Sequence, residues 1–307
     1  MPLSYTQNLE DYHLSLALAG QASGFYIDVG AGHPVADNVS FWFYERGWRG
    51  IVVEPQEQLA DQYKFVRPRD ICLTSLVGAR PGELEFFQFD HLHGLSTTVH
   101  AFAQGGEKFG DSYRVSRRPV TTLAEICQRH DVKEIDFLKI DVEGAEGEVL
   151  AGNDWRLYRP KVVVAEAIVL EDGRPSWEGW EPSLLEQDYE FVLFDTLNRF
   201  YVDRGQPAVL AAMPRERAPW DAATHMYEIG KAPDNPAHPD HDLSREITKA
   251  FWAMLPRLDE ALLMTLLESA RQPSEAEREQ LRREIGSERF KASLARIACG
   301  YDGGQID

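Results

Sequence analysis

Residues 135–146, IDFLKIDVEGAE, carry Lys139 inside an apolar run and then release Asp141, Glu143 and Glu146 within six positions. Carboxylates gathered at the end of a strand suit three kinds of chemistry. They act as general bases, they hydrogen-bond a polyol, or they coordinate a hard cation such as Mg²⁺. A blander account has Asp141 capping the following helix, with Glu143 and Glu146 in its first turn, where the dipole favours each by about 0.3–1 kcal/mol. That account leaves Lys139 unexplained. In a strand, Phe137, Lys139 and Asp141 share one face, and a lysine in a sheet covered on both sides must reach a carboxylate or a cavity. The run VVVAEA at 162–167 delivers Glu166 towards the same sheet edge. Asp141 and Glu166 are therefore the expected metal or polyol ligands, and Asp141, Glu143 and Lys139 the expected catalytic group.

A second cluster lies earlier, in FYIDVGAGHP at 25–34, a strand ending in Asp28 with Gly30, Ala31 and Gly32 behind it. Glycines at the carboxyl end of a parallel strand let a ligand approach the backbone. A dinucleotide fingerprint needs a third glycine at position 35, which is Val35, so a pyrophosphate site is disfavoured. The next strand ends in Glu54, placed to accept hydrogen bonds from a ribose diol or to cap the next helix.

The elements that must hold these groups are legible as apolar runs. Strand-like segments at 25–29, 50–54, 70–76, 136–141 and 161–167 alternate with helical stretches, the pattern of a parallel sheet covered on both faces. The segment 189–204, YEFVLFDTLNRFYVDR, reads as a hairpin at the sheet's end. The predicted fold is α/β, a Rossmann-like doubly wound sheet with a terminal antiparallel hairpin and a C-terminal helical extension. Residues 1–230 form the main domain, 231–242 (KAPDNPAHPDHD) a linker, and 243–307 the extension. The Gly- and His-rich segment 90–118 reads as a long lid or binding loop. It holds His91, His93 and His100; histidine titrates near neutral pH and suits a base, while an H-x-H pair without a third ligand is a weak zinc signal. His93 is the substrate-facing candidate, with Glu166, Asn198 and Arg199.

Composition excludes several classes. Fifty acidic against 32 basic residues give a net charge of -18, which opposes nucleic-acid binding. Mean hydropathy of -0.38 and the lack of any run near 18 apolar residues predict no integral membrane segment. The N-terminus lacks a basic segment ahead of its apolar patch, so a cytoplasmic location is expected. Three well-separated cysteines suggest neither a zinc site nor a disulfide framework. In the tail, Phe251, Trp252, Leu255, Leu258, Leu262, Leu263 and Leu266 form a stripe that predicts a homo-oligomer or another intermolecular contact.

Six blocks in order, SYTQNLEDYHL, GFYIDVGAGHP, FYERGWRGIVVEP, IDFLKIDVEGAEGEVLAG, RPKVVVAEA and LNRFYV, spanning roughly 4–204, resemble the FkbM family of O-methyltransferases. The resemblance implies S-adenosylmethionine as methyl donor and a carbohydrate hydroxyl as acceptor. Carried over, Asp28, Gly30 and Gly32 cradle the methionine end of the cofactor, Glu54 holds its ribose, and Ser75 and Leu76 flank the adenine. Where the family often has GAxxG, this chain has GAGHP, so the contact at His33 departs from the pattern. The rival readings are a nucleotide-sugar or NAD-dependent oxidoreductase, which would need the missing glycine, and a non-catalytic cofactor-binding scaffold.

Overall fold

Strands rich in Val and Ile on both faces bury both sides, and the chain places five of them side by side. The computed structural model describes residues 3–89, 91–169, 172–271 and 273–299. They fall in two units, Met1–Glu228 and Ile229–Asp307. The strands are β1 (Leu3–Ser4), β2 (Phe25–Val29), β3 (Arg49–Val53), β4 (Ile71–Leu73), β5 (Leu76–Val77), β6 (Gly82–Phe89), β7 (Tyr113–Thr121), β8 (Ile135–Ile140), β9 (Pro160–Glu166), β10 (Tyr189–Phe194), β11 (Asn198–Asp203) and β12 (Thr224–His225). The helices of the first unit are α1 (Glu10–Ala17), α2 (Phe41–Glu45), α3 (Glu57–Val66), α4 (His100–Gly106), α5 (Leu123–Arg129), α6 (Glu146–Ala151), α7 (Glu181–Leu185) and α8 (Pro207–Ala212).

The main sheet runs β4-β3-β2-β8-β9-β11-β10. Neighbours from β4 to β9 are parallel, and β11 and β10 close the edge as an antiparallel pair. Strand order reverses between β2 and β8, and such a switch point opens a crevice beyond the carboxyl ends of the strands. The loops after β2 and β8 are those that carry Gly30–Gly32 and Asp141–Glu143. One face buries Ile27, Leu138, Ile140, Val163 and Tyr201 against Ile126, Val149 and Leu184 from α5, α6 and α7. The other buries Tyr26, Phe137, Val162, Val164 and Phe200 against Leu14, Phe43, Tyr63 and Val209 from α1, α2, α3 and α8.

Two expectations need correction. The run 70–76 is not one strand: β4 ends at Leu73 and joins the main sheet, whereas β5 pairs with β7 in a separate three-stranded sheet. Nor is 90–118 one long loop. It contains α4 and the first part of β7, which pairs antiparallel with β6 from Gly82↔Val120 to Phe89↔Tyr113. These strands carry charges at Glu83, Glu85, Arg114 and Arg117 and are largely exposed along their outer halves, so they lack the apolar alternation that marks a strand in sequence.

The second unit consists of α9 (His241–Met254), α10 (Glu260–Arg271), α11 (Glu275–Ile285) and α12 (Glu288–Ala298), around a small core of Leu263, Ile285 and Leu294. Residues 300–307 of the expected extension lie outside the described residues. Among the described residues, no helix is long and apolar enough to cross a membrane.

Candidate active site

The crevice at the switch point is a cleft of about 400 Å³. One wall is the loop Gly30–His33 and a second is Glu54–Gln56 after β3. Ser75–Val77, with His93 and Gly94–Thr98, line it further, and Asp141, Val142, Glu143, Ala145 and Glu166 form the acidic side.

The glycine loop is held by backbone contact. Gly30 has φ +76, and a Cβ there would fall 1.7 Å from the Asp141 carbonyl oxygen; the loops after β2 and β8 can meet only because that atom is missing. Gly32 has φ +59, and the space a Cβ would take there is open. Ala31 is anchored through its carbonyl, which accepts from Asn38 Nδ2 at 2.8 Å and Tyr63 Oη at 3.1 Å.

Glu54 is 2 % exposed. One of its oxygens accepts from the Gly32 amide at 2.9 Å and the other from the Gln56 amide at 2.7 Å. Burial pushes its carboxyl up to about 7, against these stabilising hydrogen bonds. Glu54 thus ties the glycine loop to the start of α3 while lining the cleft.

Asp28 sits elsewhere. It does not line the cleft; its carboxylate accepts from Ser40 Oγ at 2.6 Å, and Ser40 in turn accepts from Arg67, a fully buried guanidinium that also donates to Asn38. Burial raises the Asp28 carboxyl, opposed by Ser40 and Arg67. Its reach to the glycine loop runs through Ser40 and Asn38, which holds the Ala31 carbonyl.

On the acidic side, β8 and β9 are in register at Ile140↔Ala165, so Asp141 and Glu166 follow on adjacent strand ends. Asp141, Glu143 and Glu166 each offer a carboxylate oxygen, and these three lie within 4.8 Å of one another. Lys139 does not line the cleft. Its Nζ lies 3.1 Å from Asp141 Oδ2 and donates to Asn198 Oδ1 at 2.7 Å, and Asn198 Nδ2 donates to Glu10 at 2.7 Å. Burial alone would lower the Lys139 ammonium, but Asp141, Glu10 and Glu166 together raise it. Burial also holds Glu143 and Glu166 well above the usual carboxylate range, and the surrounding carboxylates add to this while Lys139 opposes it.

Asp141 caps no helix. The helix α6 begins at Glu146 with Ala145 before it, and Glu146 reaches back to accept from the Val142 and Gly144 amides. Glu143 stands at φ +55 and Gly144 at φ +96. A Cβ on Gly144 would meet the Phe102 ring at 2.6 Å, so packing against α4 fixes a backbone shape that costs a non-glycine residue energy. Thr97 Oγ1 donates to the Glu143 carbonyl at 2.8 Å.

Of the expected substrate residues, His93 and Glu166 line the cleft. His93 Nδ1 is 3.2 Å from Gln56 Oε1. Asn198 and Arg199 lie off the cleft, on opposite faces of β11. Asn198 is buried and serves Lys139; Arg199 pairs with Glu181 at 2.6 Å and lies 3.7 Å over the Phe191 ring. The other two histidines part company with the cleft: His91 pairs with Asp111, and His100 stacks on Phe87. His33 lines the cleft, and its Nδ1 accepts from the Val35 and Ala36 amides. Sequence reasoning missed Asn38, Tyr63 and Arg67, whose partners come from distant segments. It also missed Gln56, which stands two residues after Glu54, and Glu10, which lies in the first family-like block.

Comparison with curated proteins gave no match. The methyltransferase FkbM domain model matches residues 28–191, a span that runs from the strand before the glycine loop through both acidic strand ends and covers more than half of the 307 residues; the chain belongs to the FkbM methyltransferase family.

Proposed function

We propose that this chain transfers a methyl group from S-adenosylmethionine to a hydroxyl of a carbohydrate, in a Rossmann-like methyltransferase domain. The observation that carries this reading is the group Asp141, Glu143 and Glu166, which opens into the same cleft as the glycine loop and Glu54. The residues present fit the cofactor. The open space at Gly32 admits a ligand against the backbone, Glu54 retains lone pairs for a ribose diol, and Ser75 and Leu76 line the same cleft, where the family resemblance implies contact with adenine.

When bound, S-adenosylmethionine supplies a methyl group on a positively charged sulfur. The chain's own work is then to orient a hydroxyl and remove its proton. Glu143 and Glu166, made more basic than ordinary carboxylates by burial and by the negative charge of Asp141 and Glu146, are suited to take that proton, while Lys139 fixes the position of Asp141. His93 and Glu166 are the side chains assigned to the acceptor. The alternative use of Asp141 and Glu166 is to hold Mg²⁺, which would bind the acceptor oxygen and lower its pKa. An acidic cleft suits a neutral polyol better than an anionic acceptor. Oligomerisation through the helical unit belongs to this proposal; a chain ending at Gly230 is expected to elute as a smaller species than the full chain in size-exclusion chromatography, by more than its lost mass.

The test is incubation with methyl-tritiated S-adenosylmethionine and a panel of neutral monosaccharides and polysaccharides, followed by alkali treatment. The expected product is an alkali-stable methyl ether on sugar. Label that is alkali-labile, as an ester would be, or that never reaches a sugar, contradicts the proposal.

A further inference from the structure

We infer that Asp141, Glu143 and Glu166 form a binding site for one oxygen-seeking divalent cation, of the Mg²⁺ or Mn²⁺ type, with all three carboxylates as ligands. The distances allow it. Bonds of about 2.0–2.1 Å to an octahedral ion put adjacent ligand oxygens about 2.9 Å apart and opposite ones about 4.2 Å apart. The three oxygens lie within 4.8 Å of one another, so side-chain adjustments of about an ångström each close the site.

A second observation separates this group from an ordinary acidic patch. Glu166 is 3 % exposed and Glu143 7 %, and neither carboxylate receives a hydrogen bond from any described residue, although both line the cleft. The other buried carboxylates nearby are satisfied. Glu146 caps two amides, Glu54 caps two more, and Asp28 holds Ser40. Buried charges are normally paired or coordinate a metal. The one ammonium in contact, Lys139, reaches a single oxygen of Asp141 and spends its other bond on Asn198. Two carboxylates without a protein hydrogen-bond donor therefore open into the cleft beside Asp141, where a dication would balance their charge. Carboxylate and water ligands favour Mg²⁺ or Mn²⁺ over softer metals.

The inference rests on the methyl-transfer reading only for the ion's purpose, which would be to bind and acidify the acceptor hydroxyl; ion binding itself needs no cofactor. The test uses the full chain, stripped with EDTA and desalted, titrated with Mn²⁺ while the electron paramagnetic resonance signal of the free ion is followed. One Mn²⁺ per chain is expected, displaced by Mg²⁺. Glu166→Gln should weaken it by at least the roughly 10–100-fold that loss of an outer partner alone can cost, and Glu143→Gln should do likewise, serving if the first variant fails to fold. Glu279→Gln, an exposed carboxylate on α11, should bind as the wild type does. The inference is overturned if the wild type takes up no Mn²⁺ beyond the level of the two cleft variants, in which case the cluster shares protons instead. Titration of S-adenosylhomocysteine in EDTA reports separately on the cofactor, so either reading can fail alone.

Discussion

Replacing Lys139 with Met keeps the side chain's length and removes its charge, which isolates the electrostatic part of its role. The wild-type ammonium is 4 % exposed and is held between Asp141 at 3.1 Å and Asn198 at 2.7 Å. Breaking a buried ion pair on one side costs about 3–5 kcal/mol. The Asp141 side chain is 34 % exposed, so water recovers part of that, leaving about 2–3 kcal/mol. The Asn198 carbonyl also loses its donor, worth about 1–3 kcal/mol where buried, while the apolar Met stem returns part of the sum through packing. The net expectation is about 3 kcal/mol, or a fall in Tm of roughly 6–12 °C at the usual sensitivity of domains of this size. The pH dependence discriminates further. Lys139 has its pKa raised in the fold, so its contribution is complete below the ordinary lysine value and is lost only as the pH rises through the folded one; on the acid side, any change comes from its partners. Asp195, whose carboxyl burial raises to about 7 while Lys139 opposes the rise, takes up its proton between pH 8 and pH 5.5; less negative charge then remains for Lys139 to offset, and the gap between Lys139→Met and wild type should narrow across that range. Differential scanning calorimetry at both pH values measures this. A Tm within 2 °C of wild type, or a gap that does not change with pH, would refute the electrostatic account.

The wild type carries its own pH signature. Burial raises Asp11 to about 6 and Glu54, Glu146 and Asp195 to about 7. Between their unfolded values near 4 and these folded ones the native state binds more protons, so stability falls as pH rises through that window, and Tm should be higher at pH 5.5 than at pH 8; the opposite order would sink the assignment. Gly30→Ala places a methyl group 1.7 Å from the Asp141 carbonyl oxygen at φ +76, and should abolish S-adenosylhomocysteine binding in calorimetry even where circular dichroism shows a folded chain; retained affinity would mean that the two loops need not touch. Asn198→Ala removes the second partner of Lys139 and the donor to Glu10, and urea unfolding should show a loss of about 1–3 kcal/mol; an unchanged midpoint would mean that the pair is solvated in solution.

Much of the site was readable because its signals were local. Gly30 and Gly32 follow an apolar strand directly, Glu54 ends the next one, and Lys139 is conspicuous because alternation puts it on a buried face. Adjacent strands 2 and 8 then bring the two loops together by topology. Asp28 was harder. Its type and place suit a ligand contact, yet the partner it takes, Ser40, belongs to the segment before α2 and leaves no spacing signal. Asn198 and Arg199 show a related limit: neighbours on a strand face opposite sides, and which side meets the cleft depends on register with β9, which the segment alone does not disclose. The β6–β7 pair escaped because its outer residues are charged and half its length is solvated, so Gly and His in the connecting segment read as loop.

The most direct test of the central claim is calorimetric titration of S-adenosylhomocysteine into the wild type and into Glu54→Ala, both in EDTA. Glu54→Ala leaves the Gly32 and Gln56 amides without their acceptor, at about 1–3 kcal/mol for each donor left unsatisfied. The account predicts one binding site per wild-type chain and a loss of tenfold or more in the variant. No binding by the folded wild type would contradict it, and would leave the glycine loop and Glu54 as structural features of a cleft with another purpose.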